Sequence, residues 1–254
     1  MPALFTSRRG FAVAGGILLL CLGMRPDAPP RVSRMGALPR LTLWAWERRE
    51  DLRDADPKRF AIAYLDQTLT IDLSVRGQPR RDPIVFAAAA KRIAVVRIET
   101  SRFAVLDEVA RKETVDAILA SAAEPGIAAL QVDFDATVSQ RKFYRDVLVD
   151  LRRRMPAELP LSMTALASWC SWDNWIHDLP VDEAVPMFFR MEPDRRRAPE
   201  DVGEFRIREP LCRGSVGVST TERWPGGMER KRVYVFPDRG WHNESLKELE
   251  RRLP

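Results

Sequence analysis

Apolar and polar residues alternate in several short runs of the chain, and this alternation predicts strands with polar carboxyl ends. The clearest run is Gly126–Thr137, which begins apolar and then places Gln131, Asp133 and Asp135 at every second position. Side chains two residues apart in a strand share one face. One face of this strand is therefore too polar for ordinary core. The pattern favours a strand of a parallel sheet whose carboxyl end opens into a polar site.

Seven further runs predict strands: Leu41–Glu47, Phe60–Ile71, Lys91–Thr100, Leu161–Trp169, Val181–Met191, Arg213–Ser219 and Arg232–Pro237. Helical spacing of apolar residues predicts helices over Val105–Ala123, Ser139–Met155 (with Ser139 as N-cap) and Asn243–Leu253. We interpret Glu50–Arg59 as a polar connection with helical character and Leu73–Ala90 as a loop.

Eight strands separated by helices or loops predict a (β/α)₈ TIM barrel with some degenerate helices. A doubly wound open sheet is the alternative, but no Gly-x-Gly-x-x-Gly or P-loop supports a nucleotide-binding fold.

The N-terminal 24 residues predict an export signal or an N-terminal anchor. Arg8 and Arg9 are followed by the apolar run Phe11–Met24, which is similar to a twin-arginine translocation signal and short for a membrane span. Residues 25–40 are rich in proline and predict a linker, which leaves 41–254 as a single barrel domain. We therefore expect a periplasmic or extracellular protein that meets the membrane only through an uncleaved N-terminal segment.

Composition narrows the function classes. The chain has 254 residues and a net charge of +5, but its arginines are scattered without a long basic tract, so we do not expect nucleic acid as a partner. Only His177 and His242 are present, which excludes a multi-histidine zinc site, and no Gly-x-Ser-x-Gly occurs. We predict no cofactor and no resident metal. Cys170 and Cys212 follow the N-terminal segment and are either a disulfide or two buried thiols.

Candidate chemistry lies at the carboxyl ends of the predicted strands, where barrel enzymes build their active sites. The predicted catalytic residues are acids: Asp133, Asp135, Glu99 and Glu47. An adjacent carboxylate pair can separate its pKa values, so that one group donates a proton while the other stays ionised. Two alternatives remain open. The acids could form an ion-pair network with Arg97 and Arg190, or Asp133, Asp135 and Glu99 could together bind a divalent cation.

The predicted substrate-binding residues are polar or aromatic side chains near the same strand ends: Arg97, Arg190, Asp66, Asp238, Trp46, Trp169 and Trp172. Flat tryptophan rings can stack on sugar faces. The three tryptophans Trp169, Trp172 and Trp175 also recur at helical spacing, so we expect at least half of the seven tryptophans to pack against the barrel instead.

Several motifs carry a family resemblance: Leu43–Arg48, Ala94–Glu99, Ala129–Thr137, Ser162–Cys170 and Asp182–Met191. In these the chain resembles a bacterial family of exported proteins of unknown function, whose domain is predicted to be a TIM barrel akin to glycoside hydrolases. The resemblance covers most of residues 41–240 and implies a glycosidase-like barrel.

The fourth strand also resembles the Asp-x-x-Asp-x-Asp-x-Glu motif of family 18 chitinases. Asp133 and Asp135 fill two of its places, whereas Leu130 and Thr137 replace the first aspartate and the catalytic glutamate. Any catalytic acid must then come from Asp135, Glu99 or Glu47.

These observations predict a protein that acts on a glycan, or another small polar substrate, through paired-carboxylate chemistry. A barrel that binds a glycan or a protein without catalysis is the alternative, and a metal-dependent hydrolase is a further one.

Overall fold

Eight parallel strands close a barrel in the computed structural model, which describes residues 34–173, 175–189 and 206–252. They are β1 (Leu41–Ala45), β3 (Phe60–Ile71), β6 (Lys91–Thr100), β7 (Ile127–Asp133), β8 (Leu161–Leu166), β9 (Glu183–Met187), β10 (Ser215–Ser219) and β11 (Arg232–Phe236). Each pairs in parallel with the next, and β1 pairs with both β11 and β3 to complete the ring. The TIM-barrel prediction is therefore confirmed. The predicted export segment, most of the predicted linker and Arg190 lie outside the described residues.

Four α-helices lie in the described part of the chain: α1 (Glu108–Ala122), α2 (Arg141–Arg154), α3 (Ala167–Ser171) and α4 (Asn243–Arg252). Helix α1 separates β6 from β7, and α2 separates β7 from β8. Helix α3 is only five residues long and α4 follows the last strand. The expectation that several barrel helices are degenerate is thus confirmed for the described connections. None of these helices is both long and apolar enough to cross a bilayer.

Apolar side chains pack on both sides of the barrel wall. Helix α2 buries Phe143, Val147, Leu148 and Leu151 against the strands, as their helical spacing predicted. A fully buried side chain of this size contributes about 1.5–3 kcal/mol. Inside the barrel, a second cluster is built around Trp44 with small and branched residues of β3, β6 and β7.

Two helix starts differ from the prediction. Helix α1 begins at Glu108, with Asp107 as its N-cap, and Val105 and Val109 are exposed instead of facing the sheet. Ser139 does not cap α2, because it lies inside a 3-10 turn that precedes the helix. Thr137 begins that turn, and its backbone N–H donates to the Gln140 side chain at 2.8 Å.

The connections predicted as a polar segment and a loop contain short strands. β2 (Glu50–Leu52) pairs in parallel with β5 (Ile84–Phe86). β4 (Val75–Pro79) pairs antiparallel with the second half of β3. No α-helix forms between Glu50 and Arg59, where β2 buries Glu50 and Leu52 and turns follow it. Strands β3 and β6 run to residues 71 and 100, so together with β4 they form a ribbon that extends past the other strand ends.

Cys170 and Cys212 form a disulfide. The bridge joins α3 to a 3-10 turn at Pro210–Cys212. The carbonyl of Cys170 also accepts hydrogen bonds from the backbone of Arg208 and Glu209, at 2.9 and 3.1 Å. These contacts tie the segment before β10 to the region that follows β8.

Candidate functional site

Asp133 is the buried acid of a charged cluster at the carboxyl end of the barrel. The parallel register of β6 and β7 pairs Arg97 with Asp133, so both side chains point to the same face. Arg97 Nη1 donates to Asp133 Oδ2 at 2.7 Å, and Thr164 Oγ1 donates to Asp133 Oδ1 at 2.7 Å. Only 3% of the Asp133 side chain is exposed. Both oxygens act as acceptors, which is how a carboxylate is satisfied when buried.

Asp135 is the solvent-facing carboxyl of this cluster. It lies two residues beyond the end of β7, and half of its side chain (50%) is exposed. Its Oδ2 is 3.9 Å from Arg97 Nη2. Burial and the charge of Asp133 raise the pKa of Asp135, whereas the charge of Arg97 lowers it. The net pKa lies above the ordinary value of 3.8.

Glu99 completes the cluster on the β6 side. Its Oε1 accepts a hydrogen bond from Arg97 Nε at 2.9 Å, and 53% of its side chain is exposed. Arg97 therefore contacts three acids, namely Asp133, Asp135 and Glu99. The structure brings these four predicted residues together, although Asp135 belongs to a loop and not to the strand predicted for it.

Aromatic rings occupy the opposite side of the barrel mouth. Trp46 follows β1, Phe189 follows β9 and Phe236 ends β11. The acids lie across the ring of strands, on β6 and β7 and in the loop that follows β7. The centroid of Phe236 is 4.7 Å from that of Phe189 and 6.3 Å from that of Trp46. Trp46 and Phe189 are half-buried, so each keeps part of its surface exposed. The mouth thus has a charged side and an aromatic side.

The other two predicted tryptophans differ in exposure. Trp172, just after α3, is 66% exposed. Trp169 is buried in the layer outside the barrel and packs edge-on against Trp175, with centroids 4.9 Å apart. The buried ring of Trp169 offers no free face to a substrate in this arrangement, which corresponds to the packing alternative.

Three further predicted residues, Glu47, Asp66 and Asp238, are not among the acids that contact Arg97. Glu47 Oε1 accepts from the backbone N–H groups of Arg81 and Asp82, at 2.8 and 2.9 Å, and so holds the loop after β4. Asp66 lies at a bulge in β3. Asp238 lines a separate cavity of about 340 Å³ between α4 and the loops after β10 and β11.

A polar network fills the barrel interior below Asp133. Gln131 accepts from Trp44 Nε1 at 2.8 Å and donates to Ser162 Oγ at 3.0 Å. Ser162 and Tyr234 both donate to Glu183, whose pKa is raised by burial. Gln131 shares the face of Asp133, as the alternation predicted, but its amide is engaged within the barrel. Sequence reasoning did not identify Glu183, because nothing local indicates which strands become neighbours.

Sequence reasoning also missed Glu50, a second perturbed acid at the same end of the barrel. Glu50 is 2% exposed, and neither carboxyl oxygen makes a hydrogen bond of normal geometry to a described residue. Burial raises the pKa of Glu50 to about 7, against the lowering influence of Arg80, the Trp241 backbone and Arg48. A Cβ at Gly240 would lie 3.1 Å from Glu50 Oε1. Such a contact is tight, so the glycine leaves room for the Glu50 carboxyl beneath the loop that precedes α4, and its φ of +89° is one that favours glycine.

The described residues contain no group of three or more His, Cys, Asp or Glu side chains arranged to hold a metal ion. Asp133, Asp135 and Glu99 instead converge on the guanidinium of Arg97.

Comparisons with known proteins give a limited result. Residues 89–185, less than half of the chain, match the profile of a domain of unknown function (DUF3142). The spore cortex-lytic enzyme SleL of Bacillus cereus is similar in structure, with a TM-score of 0.47 and 14% identity over 70% of this chain and 50% of SleL. The chain thus spans about half the length of SleL. No curated protein matches the sequence. Neither match supports the chitinase-like reading of the fourth strand.

Proposed function

We propose that this barrel acts on a glycan by acid–base chemistry, with Asp135 as the proton donor. One observation carries the proposal: an exposed carboxyl with a raised pKa lies beside a buried carboxylate held by the same arginine. Carboxyl groups placed in unlike environments are the arrangement that glycoside hydrolysis uses.

The roles follow from what each side chain contacts. Asp135 reaches solvent, so it can meet a glycosidic oxygen. Asp133 is buried with both oxygens occupied, so its part is to favour the protonated form of Asp135 through its negative charge. Glu99 is exposed and is the second carboxylate available to activate a water molecule or to stabilise positive charge on the sugar. Trp46 and Phe189 supply apolar ring surface opposite the acids.

The experiment is a screen for released reducing ends when the purified full-length chain is incubated with cell-wall and exopolysaccharide glycans. On any glycan that is cleaved, Asp135→Asn should reduce kcat by about a hundredfold or more, the usual contribution of a positioned acid. Asp54→Asn, which changes an exposed carboxylate in the turn after β2, is the matched control. Cleavage that survives Asp135→Asn would remove Asp135 from the mechanism.

A barrel that binds a glycan or a partner protein without turnover is the second candidate. The contact of Arg97 with three acids favours it, because charged groups that engage one another in this way can have a purely structural role. Tight oligosaccharide binding with no product after long incubation would support this candidate over the hydrolase.

We further propose that the chain works outside the cytoplasm, on the strength of its N-terminal twin-arginine sequence and apolar run. Changing Arg8 and Arg9 to lysine should retain the protein in the cytoplasm if this segment is a twin-arginine signal. Unchanged export would show that another signal is used.

A further inference from the structure

The sheet face that carries the acids continues sideways onto the ribbon of β3, β4 and β6. Residues paired across strands point to the same face of a sheet. Asp133 pairs with Arg97, Arg97 with Thr68, and Thr68 with Gln78. One step further along the strands, Glu99 pairs with Thr70 and Thr70 with Arg76, so these residues share that face too.

The opposite face of the ribbon is covered by the protein itself. Gln67 donates to the carbonyl of Ala117 at 2.9 Å and to Ser121 Oγ at 2.7 Å, both on α1. Leu69 and Ile71 are buried on this side. The face that includes Thr68 and Thr70 is therefore the one that remains available to a ligand.

A basic cavity of about 580 Å³ lies at the far end of this face. Its described lining includes Thr70, Arg76, Gln78, Arg80 and Arg81, and none of the lining residues is an acid. Strands are about 4.8 Å apart, so three steps from β7 to β4 place this cavity roughly 14 Å from Asp133. A chain-like ligand bound across the strands at the acids would reach the arginines.

The three arginines differ in how far they are already engaged. Arg80 donates to the carbonyls of Leu65 and Asp82, at 3.2 and 2.8 Å. Because these donors are engaged, Arg80 contributes mainly its positive charge to the cavity. Arg76 forms an exposed ion pair with Asp72, with Nη2 3.6 Å from Oδ2, and exposed pairs of this kind are weak. The side chain of Arg81 makes no hydrogen bond or ion pair with a described residue, while Glu47 holds its backbone N–H.

We infer that this cavity is a subsite for an anionic group, a carboxylate or a phosphate, carried by the glycan. The inference rests on the proposed function, because the glycan is assumed to occupy the acid cluster. Guanidinium groups bind both kinds of oxyanion through charge-assisted hydrogen bonds. Arg76 and Arg81 supply those donors, Thr70 and Gln78 supply neutral hydrogen bonds, and Arg80 adds positive charge. The substrate class is accordingly an acidic polysaccharide.

The test compares charged and neutral ligands on the full-length Asp135→Asn chain, in which cleavage is blocked. Calorimetry would use an oligogalacturonate, its methyl ester, and an oligomannoside phosphate to separate carboxylate from phosphate. At least one charged probe should bind more tightly than the neutral ester. Adding Arg76→Gln and Arg81→Gln should weaken that probe by about a hundredfold, tenfold for each charge-assisted contact, and leave the ester unchanged.

The matched control removes two exposed positive charges from α2, by Lys142→Gln and Arg153→Gln. It should leave the affinity for every probe within about twofold, since distant surface charges are screened by salt. Equal binding of charged and neutral probes, or no effect of the Arg76 and Arg81 changes, would overturn the subsite while leaving the proposed function intact. Failure of all three probes to bind, together with no cleavage of any glycan in the screen described above, would overturn both. A single-stranded oligonucleotide serves as a fourth probe, and arginine-dependent binding of this probe alone would overturn the glycan subsite in favour of a nucleic-acid site.

Discussion

Glu50 gives a prediction whose size can be worked out from the structure. Its carboxyl is buried and makes no hydrogen bond of normal geometry to any described residue, and its pKa is raised from 4.5 to about 7. Below pH 4.5 the carboxyl is protonated in both the folded and the unfolded chain, so its ionisation does not change the free energy of unfolding. Between 4.5 and 7 the unfolded chain loses this proton while the folded chain keeps it, so the free energy of unfolding falls as pH rises. Above pH 7 the penalty is complete.

The magnitude follows from the two pKa values. The difference between about 7 and 4.5, at about 1.4 kcal/mol for each pH unit, corresponds to roughly 3 kcal/mol of lost stability. Glu50→Gln keeps the side-chain volume and cannot ionise. Relative to the wild type, the variant should therefore gain about 3 kcal/mol on going from about pH 4 to about pH 8.

Urea unfolding followed by circular dichroism at several pH values between these limits measures the difference. Subtracting the wild-type free energy of unfolding from that of Glu50→Gln at each pH cancels the titration of all other groups. Glu113→Gln, on the exposed side of α1, should run parallel to the wild type at every pH. A Glu50→Gln curve that also runs parallel to the wild type would refute the reasoning, because Glu50 would then titrate at its ordinary pKa.

Three further predictions concern the cluster and the disulfide. Thr164→Val should lower the free energy of unfolding by about 1.5–3 kcal/mol in urea, because Asp133 Oδ1 loses a hydrogen bond while staying buried; an unchanged midpoint would show that Thr164 does not hold Asp133. Arg97→Gln should lower the free energy of unfolding by about 3–5 kcal/mol, because the buried Asp133 carboxylate loses its partner. Adding Asp133→Asn removes that unpaired charge and should restore part of the stability; strictly additive effects of the two changes would argue against the pair. The Cys170–Cys212 disulfide closes a loop across a separation of 42 residues, so its reduction should lower the free energy of unfolding by about 4 kcal/mol in urea. Equal stability with and without reductant would mean that the bridge does not constrain the unfolded chain.

The barrel strands could be predicted because their apolar runs are local signals. The bounds predicted for β3 and β6 agree with those observed, Phe60–Ile71 and Lys91–Thr100. β4 could not be predicted in this way, because its sequence, Val-Arg-Gly-Gln-Pro, is that of a loop. An edge strand tolerates charge, glycine and proline, since its outer backbone groups have no partner strand.

The acid cluster was predicted only in part. Alternation placed Asp133 on an interior face, but Asp135 lies beyond the strand end and joins the cluster through Arg97. The pairing of Asp133 with Thr164 depends on the register between β7 and β8, which neither strand encodes alone. Glu50 is buried next to Gly240, which lies 190 residues later in the chain. Such contacts join segments that are far apart in the chain, so no local sequence pattern predicts them.

The central claim is that Asp135 donates a proton to a glycan, and the most direct measurement is kcat on a cleaved glycan as a function of pH. We predict that kcat falls as pH rises through the pKa of Asp135, which lies above 3.8 because of burial and the charge of Asp133. We also predict that Asp135→Asn abolishes this limb together with at least about 99% of the activity, while Asp54→Asn changes neither. An Asp135→Asn chain that cleaves glycan at the wild-type rate with the same pH profile would contradict the claim.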